Sequence, residues 1–559
     1  MTPHAGNQSS DADALVATAE RRLAVGDLRG AFADLKACLK RFPDHGPATA
    51  AMGLFLADHG DPATATHLLS QAMASSPPID GSRGRVATGL ARMLSALSPS
   101  RWSAPLEADL CACLRDPAVE PQTLARVTAE TLLLKQPVFD GARATLATMG
   151  RDPLWLAFLS RCLNVSAAME TRLDAVRAAV IEIDGPLEPS VGALIGAIGL
   201  SGFASEYIAR PLAAEGVAIV MFRPPTLAEA AGLGEGEIQA QLIRRAIEEP
   251  ARERALAPTT PAFTPAGDDV VSEAVRGQYE ANPYPRWSAP PASRPRRLSE
   301  AVAALPGLDV KAFGERLDSV LVAGCGTGFE PIDLARMDPS LTITAMDLSR
   351  ASLAYGMRVA EDLGLSRVRF VQGDILALDQ VQARFDVVTS TGVIHHMARP
   401  EAGLSRLAGV LRPGGVVRLG LYSERARALV RASHELIRQM GWKPVDADIR
   451  AFRAHVLALP EGEPLAALKE SADFYSLSGC RDLVFHVQEH RYTPPQLGEL
   501  IAGAGLRLVG FEASPEARAA FAGAFGQADP LDLGLWDQLE ARRPDLFASM
   551  YHLWAQKPA

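Results

Sequence analysis

A run of glycines in the middle of the chain, Gly324-Cys325-Gly326-Thr327-Gly328, follows a short apolar, β-branched stretch from Ser319 to Ala323. Glycines leaving a strand let the backbone pass close to a ligand, and the helix start that follows presents N–H groups to it. The dinucleotide-binding fingerprint would want a glycine at 329, where Phe329 stands. Asp347 ends the next strand, at the spacing where a carboxylate accepts the hydroxyls of a bound ribose. Gly373-Asp374-Ile375 follows a third strand and offers a carboxylate to an adenine amino group. A fourth strand ends in Ser390-Thr391-Gly392-Val393-Ile394-His395-His396, and Leu411-Arg412-Pro413-Gly414-Gly415 reads as a tight turn into a fifth.

His395 and His396 stand at the carboxyl edge of a strand, where open α/β sheets bind ligands. Either orients a substrate or takes its proton, or the pair simply packs and caps. Further on, His486 and Glu489-His490 spell HxxEH, a zinc pattern when its two imidazoles lie one helical turn apart. Zinc also needs a third ligand, which no second motif supplies, so no metal is expected. The surrounding stretch, Asp473 to His490, reads either as an active-site cap contributing Tyr475, Arg481, His486 or Glu489, or as a structural cluster with Arg481 paired to an acid.

These groups need elements to position them. Ser319–Ala323, Leu341–Met346, Val368–Gln372, Phe385–Ser390 and Val416–Leu421 are short strands separated by helical stretches such as Arg350–Leu363 and Glu401–Leu411. That alternation predicts a parallel sheet with helices on both faces. Leu506–Phe511 and Tyr551–Gln556 are the candidate final strands. Upstream the period is helical, as in Leu106–Leu114, Pro121–Lys135 and Ala167–Ile181. Gly26-Asp27 recurs as Gly60-Asp61, 34 residues on, and the same shift maps Ala31 to Ala65, Leu35 to Leu69, Cys38 to Ala72 and Pro43 to Pro77. Pro250, Pro258, Pro261 and Pro265 among Thr and Ala mark a linker. The expected division is repeats over 10–78, a helical domain over 79–250, a linker over 251–270 and an α/β domain over 271–559, with 422–492 as an inserted cap.

The 34-residue period, with small residues where helices cross, resembles the tetratricopeptide repeat. The glycine loop, the two acids and the turn before the fifth strand, taken together over about residues 318–421, resemble the class I S-adenosylmethionine-dependent methyltransferases. The resemblance implies a Rossmann-like, mostly parallel seven-stranded sheet whose last strand is antiparallel, following an α-helical N-terminal half. It implies that Gly324, Cys325, Gly326 and Gly328 face the methionine part of S-adenosyl-L-methionine, Asp347 and Leu348 the ribose, and Asp374 and Ile375 the adenine, with Ser390 also on the cofactor. Gln278-Tyr279-Glu280-Ala281-Asn282-Pro283-Tyr284-Pro285-Arg286-Trp287 looks like a signature of proteins that join such repeats to such a domain. Tyr279 then lines the cofactor site, or the segment serves as an aromatic anchor. Asn282-Pro283-Tyr284 is not the Asn-Pro-Pro-Tyr motif of amide and base N-methyltransferases: it lacks a proline and precedes the first strand.

With 48% hydrophobic and 22% charged residues among 559, the chain is neither disordered nor fibrous. Its net charge of −9 disfavours a non-specific nucleic-acid binder. Six cysteines without a CxxC pair suit reduced thiols in the cytoplasm. The polar start shows no signal peptide, and the longest apolar stretch, Val191–Ala204, is short for a membrane span. The expected partners are a protein or small-molecule methyl acceptor and a protein bound through the repeats.

Overall fold

The computed structural model describes residues 4–75, 83–265, 269–287, 289–290, 295–314 and 317–559. Pro77, residues 79–82 of the expected helical domain and residues 266–268 of the expected linker lie outside them. The chain forms two compact units, Met1–Ile243 and Arg244–Ala559.

In the first unit, the repeated Gly-Asp pair serves the same local task twice. Asp27 caps helix Leu28–Arg41 by accepting from the Gly30 N–H, and Asp61 caps helix Pro62–Met73 by accepting from Ala63 and Thr64. Each cap satisfies donors that a helix start leaves orphaned. Ala31, Leu35 and Cys38 are buried on the first helix and Ala65, Leu69 and Ala72 on the second, one stripe at helical spacing. Leu28–Arg41 packs on His4–Ala24, and Pro62–Met73 on Gly46–His59. Gly53 admits the close approach of the second pair, since a Cβ there would lie 2.9 Å from the Leu69 side chain. The apolar stretch noted above is helix Pro189–Ala204, buried along most of its length and so lacking a polar face. Among the described residues no helix is long and apolar enough to cross a membrane.

The second unit is built on one seven-stranded sheet: β1 (Ser319–Ala323), β2 (Thr342–Asp347), β3 (Val368–Gln372), β4 (Phe385–Thr391), β5 (Leu411–Leu421), β6 (Arg507–Glu512) and β7 (Tyr551–Gln556). The order is β3-β2-β1-β4-β5-β7-β6, with β1 to β5 parallel and β7 antiparallel to both its neighbours. Side chains alternate faces along a strand. Val320 and Val322 therefore join one core with Ile332, Ile343 and Phe370, while Leu321 and Ala323 join the opposite core with Met346, Leu404 and Val417. The expected turn at Arg412-Pro413-Gly414-Gly415 is instead an irregularity inside β5, where the register against β4 shifts between Phe385 and Val387. Gly414 is needed there: its φ is +75°, and a Cβ would fall 1.9 Å from the Ala312 carbonyl oxygen.

The stretch expected as a linker is largely built into this unit. Pro250 follows the π-helical turn Arg244–Glu248 within helix Glu249–Leu256, and Pro258 lies in the 3-10 turn Ala257–Thr259 that continues it, so both sit inside a helical run. Buried Arg358 pairs with Glu253 at 2.9 Å and with Glu249 and Asp362 at 3.5 Å. Next, Ala262 pairs in parallel with Gln372 at the end of β3: the Gln372 N–H donates to the Pro261 carbonyl at 2.8 Å and the Phe263 N–H to the Gln372 carbonyl at 2.7 Å. Between β5 and β6, residues 422–492 leave the sheet and return. The Tyr492 N–H donates to the Tyr422 carbonyl and the Glu424 N–H to the Tyr492 carbonyl, both at 2.9 Å.

This places the start of the second unit at Arg244. A fragment of residues 244–559 is expected to be more stable than one of 271–559 by at least about 2–3 kcal/mol, because the shorter fragment leaves the buried Arg358 short of two acids. Equal stability of the two in urea denaturation would contradict this.

Candidate active site

In this strand order β1 and β4 are neighbours whose connections leave in opposite directions, and ligands bind outside the carboxyl ends of strands at such a switch point. The loop after β1 lies against the loop after β4: a Cβ on Gly324 would fall 2.4 Å from Val393. Gly324, Gly326 and Gly328 have φ of +77°, +53° and +88°. The Gly324 and Cys325 N–H groups donate to the Met346 carbonyl at 2.7 and 3.0 Å, anchoring the loop to β2. Cys325 is buried and its thiol pKa is raised well above the ordinary range by burial, with Asp347 adding to it, so it is no thiolate.

Asp347 ends β2 with its carboxylate between two backbone donors. One oxygen accepts from the Gly326 N–H at 2.8 Å, the other from the Ser349 N–H at 2.9 Å. Burial raises its pKa and these bonds oppose the rise. Each oxygen keeps lone-pair capacity for a further donor. The Leu348 carbonyl accepts from the Gln372 side chain at 3.0 Å. Asp374 follows β3 and caps the turn Ile375–Gln380 with one oxygen, while the other is buried without a hydrogen-bond partner. Its own N–H donates to the Thr264 hydroxyl at 2.8 Å, so the stretch before 265 also shapes this corner. Ile375 turns into the core, and the Ser390 hydroxyl at the end of β4 is buried and unpartnered.

The aromatic signature, helix Val270–Ala281 and the residues after it, lies over the loop. The Trp287 indole N–H donates to the Thr327 hydroxyl at 3.1 Å, which donates to the Pro285 carbonyl at 2.5 Å. The Tyr355 hydroxyl donates to the Trp287 carbonyl at 2.5 Å. Glu280 accepts from the Ser349 hydroxyl at 2.8 Å and the Ala351 N–H at 3.1 Å, at the start of helix Arg350–Asp362. A Cβ on Gly326 would meet the Tyr284 carbonyl oxygen at 2.9 Å. The segment thus anchors on the loop through Trp287, and it also sends two tyrosines toward the insert. The Tyr279 hydroxyl donates to Asp482 at 2.5 Å and the Tyr284 hydroxyl to Asp473 at 2.8 Å. Burial, reinforced by these acids, holds both phenols far above their usual pKa, and burial likewise raises Asp482 and Asp473.

His395 and His396 follow β4 and meet the insert in a buried aromatic group. His395 lies 4.1 Å from the Tyr422 ring and 4.3 Å from His396, centroid to centroid. His396 stacks on His486 at 3.5 Å. Burial is the main cause holding all three imidazoles below their ordinary pKa; neighbouring cations and imidazoles assist it at His395 and His396, and Asp482 opposes it at His486, so they are neutral at pH 7. Glu489 is engaged as an ion-pair partner: each of its oxygens accepts a hydrogen bond from Arg427, whose guanidinium lies 3.8 Å over the Tyr422 ring. The Tyr475 hydroxyl is turned inward to the Lys469 carbonyl at 2.7 Å, and Arg481 pairs with Asp446 at 2.9 Å. The HxxEH pattern is not helical, because helix Leu477–Val484 ends before it, so His486 and His490 are not one turn apart. The site also contains Asp482, Asp473, Tyr284, Tyr422 and Arg427, which no local spacing marks out.

Residues 320–415 match the family described as a methyltransferase domain. The chain is 32% identical to an uncharacterized protein of Synechococcus sp. over 44% of its own length and 62% of that protein's. It is 34% identical to an uncharacterized methyltransferase of Mycobacterium tuberculosis over 18% of its own length and 47% of that one's. It therefore spans less than two thirds of either relative. The structure of PKMT2 from Rickettsia typhi in complex with AdoHcy superposes with a TM-score of 0.36 at 15% identity, over 46% of this chain and 51% of that one.

The loop's demands separate into backbone strain and close contact. A Cβ on Gly328 would lie 2.9 Å from the Phe370 ring and 3.0 Å from the Gly356 Cα, whereas Gly364, with φ of +68°, has nothing within 4 Å. Gly328→Ala is expected to cost about 2–4 kcal/mol and Gly364→Ala only about 1 kcal/mol by chemical denaturation. Equal losses would show that conformation alone matters at Gly328.

Proposed function

We propose that residues 244–559 form an S-adenosyl-L-methionine-dependent methyltransferase. The observation that carries this reading is the carboxyl edge of β1 to β4. There a cradle of left-handed glycines meets Asp347, while the Asp374 carboxylate oxygen and the Ser390 hydroxyl are buried without partners. These fit the cofactor's needs: an acid with spare lone pairs for the ribose hydroxyls, a buried acceptor for the adenine amino group, and backbone free of side chains beside the methionine part. Leu348 and Ile375 flank the two acids. The methyltransferase-domain match over this same segment supports the reading.

The cofactor, when bound, supplies an electrophilic methyl group on a sulfonium. The chain's part is to align an acceptor and exclude water, which can supply most of the acceleration in an in-line displacement. On this reading residues 422–492 cap the acceptor side, with Tyr279, His396, Asp482 and His486 lining it. His396 and His486 are neutral and so able to accept a proton from an acceptor that carries one at pH 7. His395 positions His396 and Tyr422 from behind. The acceptor is a protein or a small molecule, and the chain acts in the cytoplasm. Helix pairs within residues 10–78 act as tetratricopeptide-like repeats that recruit a protein, a role suited to stacked helical hairpins.

Asp347→Ala is expected to weaken S-adenosylmethionine binding by about 1.5–3 kcal/mol, the range for hydrogen bonds to a charged group. Calorimetry on the folded variant tests it, and unchanged affinity would remove the cofactor assignment. Incubating the wild type with labelled cofactor and a cell lysate tests turnover. Binding without any labelled product would favour a cofactor-binding scaffold instead of an enzyme.

A further inference from the structure

The sequence offered His486 and His490 as a metal pair and lacked a third ligand. The fold supplies a different set. His396 from the end of β4, and Asp482 and His486 from the insert, each place a donor atom within 4.8 Å of the others. The His396 Nδ1 lies 2.7 Å from the Gln488 carbonyl oxygen and the His486 Nδ1 2.8 Å from the same oxygen. A carbonyl accepts only, so the tautomer that satisfies these two contacts carries the proton on each Nδ1 and leaves each Nε2 its lone pair. The Gln488 N–H also approaches the His486 Nδ1, at 3.3 Å, but the carbonyl contact is shorter. A backbone carbonyl behind the far nitrogen is the usual support of a metal-bound imidazole.

The His486 Nε2 is buried with no hydrogen-bond partner, and His486 is only 8% exposed. Asp482 takes one hydrogen bond, from Tyr279 on one oxygen. A buried imidazole nitrogen without a partner therefore stands close to a carboxylate and a second imidazole, an arrangement that a cation relieves. The nearby positive charge of Arg427 is matched by Glu489.

We propose that His396, Asp482 and His486 bind one divalent transition-metal ion of the zinc class. Two imidazoles and a carboxylate are a donor set suited to zinc, with positions left open. Ligands at about 2.1 Å around a tetrahedral ion stand about 3.4 Å apart, so the group closes by up to about 1.4 Å and the two stacked rings splay. The ion site stands whether or not the glycine loop holds S-adenosylmethionine. Its use, binding an acceptor hydroxyl or thiol through an open position, rests on the methyltransferase reading and replaces proton acceptance by His396 and His486, whose free lone pairs the ion takes.

The test uses the purified full chain, stripped with a chelator and titrated with cobalt(II), whose visible absorption reports nitrogen and oxygen ligation, and with zinc(II) by calorimetry. One equivalent of each ion is expected, and zinc should raise the unfolding temperature. His486→Ala and His396→Ala should weaken binding at least tenfold. Asp482→Asn, nearly isosteric and so the variant safest to fold, should alter the cobalt spectrum and weaken binding as well. His490→Ala should leave both unchanged. No binding by the wild type, a spectrum unchanged in folded Asp482→Asn, or loss of binding in His490→Ala would each overturn the proposal. S-adenosylmethionine affinity measured on the same samples reports the cofactor reading separately, so failure of one is not mistaken for failure of the other.

Discussion

The second unit depends on a turn that has glycine at every second position, Gly324, Gly326 and Gly328. Between β1 and the helix Phe329–Met337 the chain adopts left-handed conformations at Gly324, Gly326 and Gly328, and at each of them another part of the molecule occupies the space a Cβ would need. Val393 from the loop after β4, the Tyr284 carbonyl and the Phe370 ring all converge there. Asp347 then locks the turn by accepting from Gly326 and from Ser349. One carboxylate thus fixes the glycine loop relative to the start of the next helix. Preorganised donors and acceptors of this kind avoid reorganisation when a ligand arrives.

Around that turn the chain wraps twice. The first wrap runs from Arg244 to Trp287, clamped by Arg358 against Glu249 and Glu253 and then pinned through Thr327 and Tyr355. The second is the insert between Tyr422 and Tyr492, tied to the first wrap by two phenol–carboxylate bonds, Tyr279 to Asp482 and Tyr284 to Asp473. A buried carboxylate accepting from a phenol is a strong, directional link in low dielectric. These two bonds couple segments about 200 positions apart in sequence.

What the sequence makes legible is what local chemistry dictates. The strand period and the glycine turn fix β1 to β4 nearly to the residue, and the caps Asp27 and Asp61 appear as a repeated dipeptide because a helix start is a local event. Composition misleads where proline has two meanings: Pro250 and Pro258 resemble linker residues but sit inside a helical run. Spacing misleads at HxxEH, because the pattern presumes a helix that ends at Val484. Asp482 and Gln488 acquire their roles only by meeting Tyr279, His396 and His486 in three dimensions. The pairing of Glu489 with Arg427 is likewise invisible from spacing alone, and it engages an acid that the sequence offers as reactive.

The short pairing of Ala262 with Gln372 has a consequence for the unit's colloidal behaviour. β3 is an outer strand of the sheet, and outer strands offer unpaired backbone groups to other chains. The chain's own residues 261–263 take up the N–H and C=O of Gln372 at the carboxyl end of that strand. The stretch that shapes the Asp374 corner is therefore also a guard against edge-to-edge aggregation. The same few residues thus close the end of the strand edge and hold the Asp374 backbone, so a change that loosens one loosens the other.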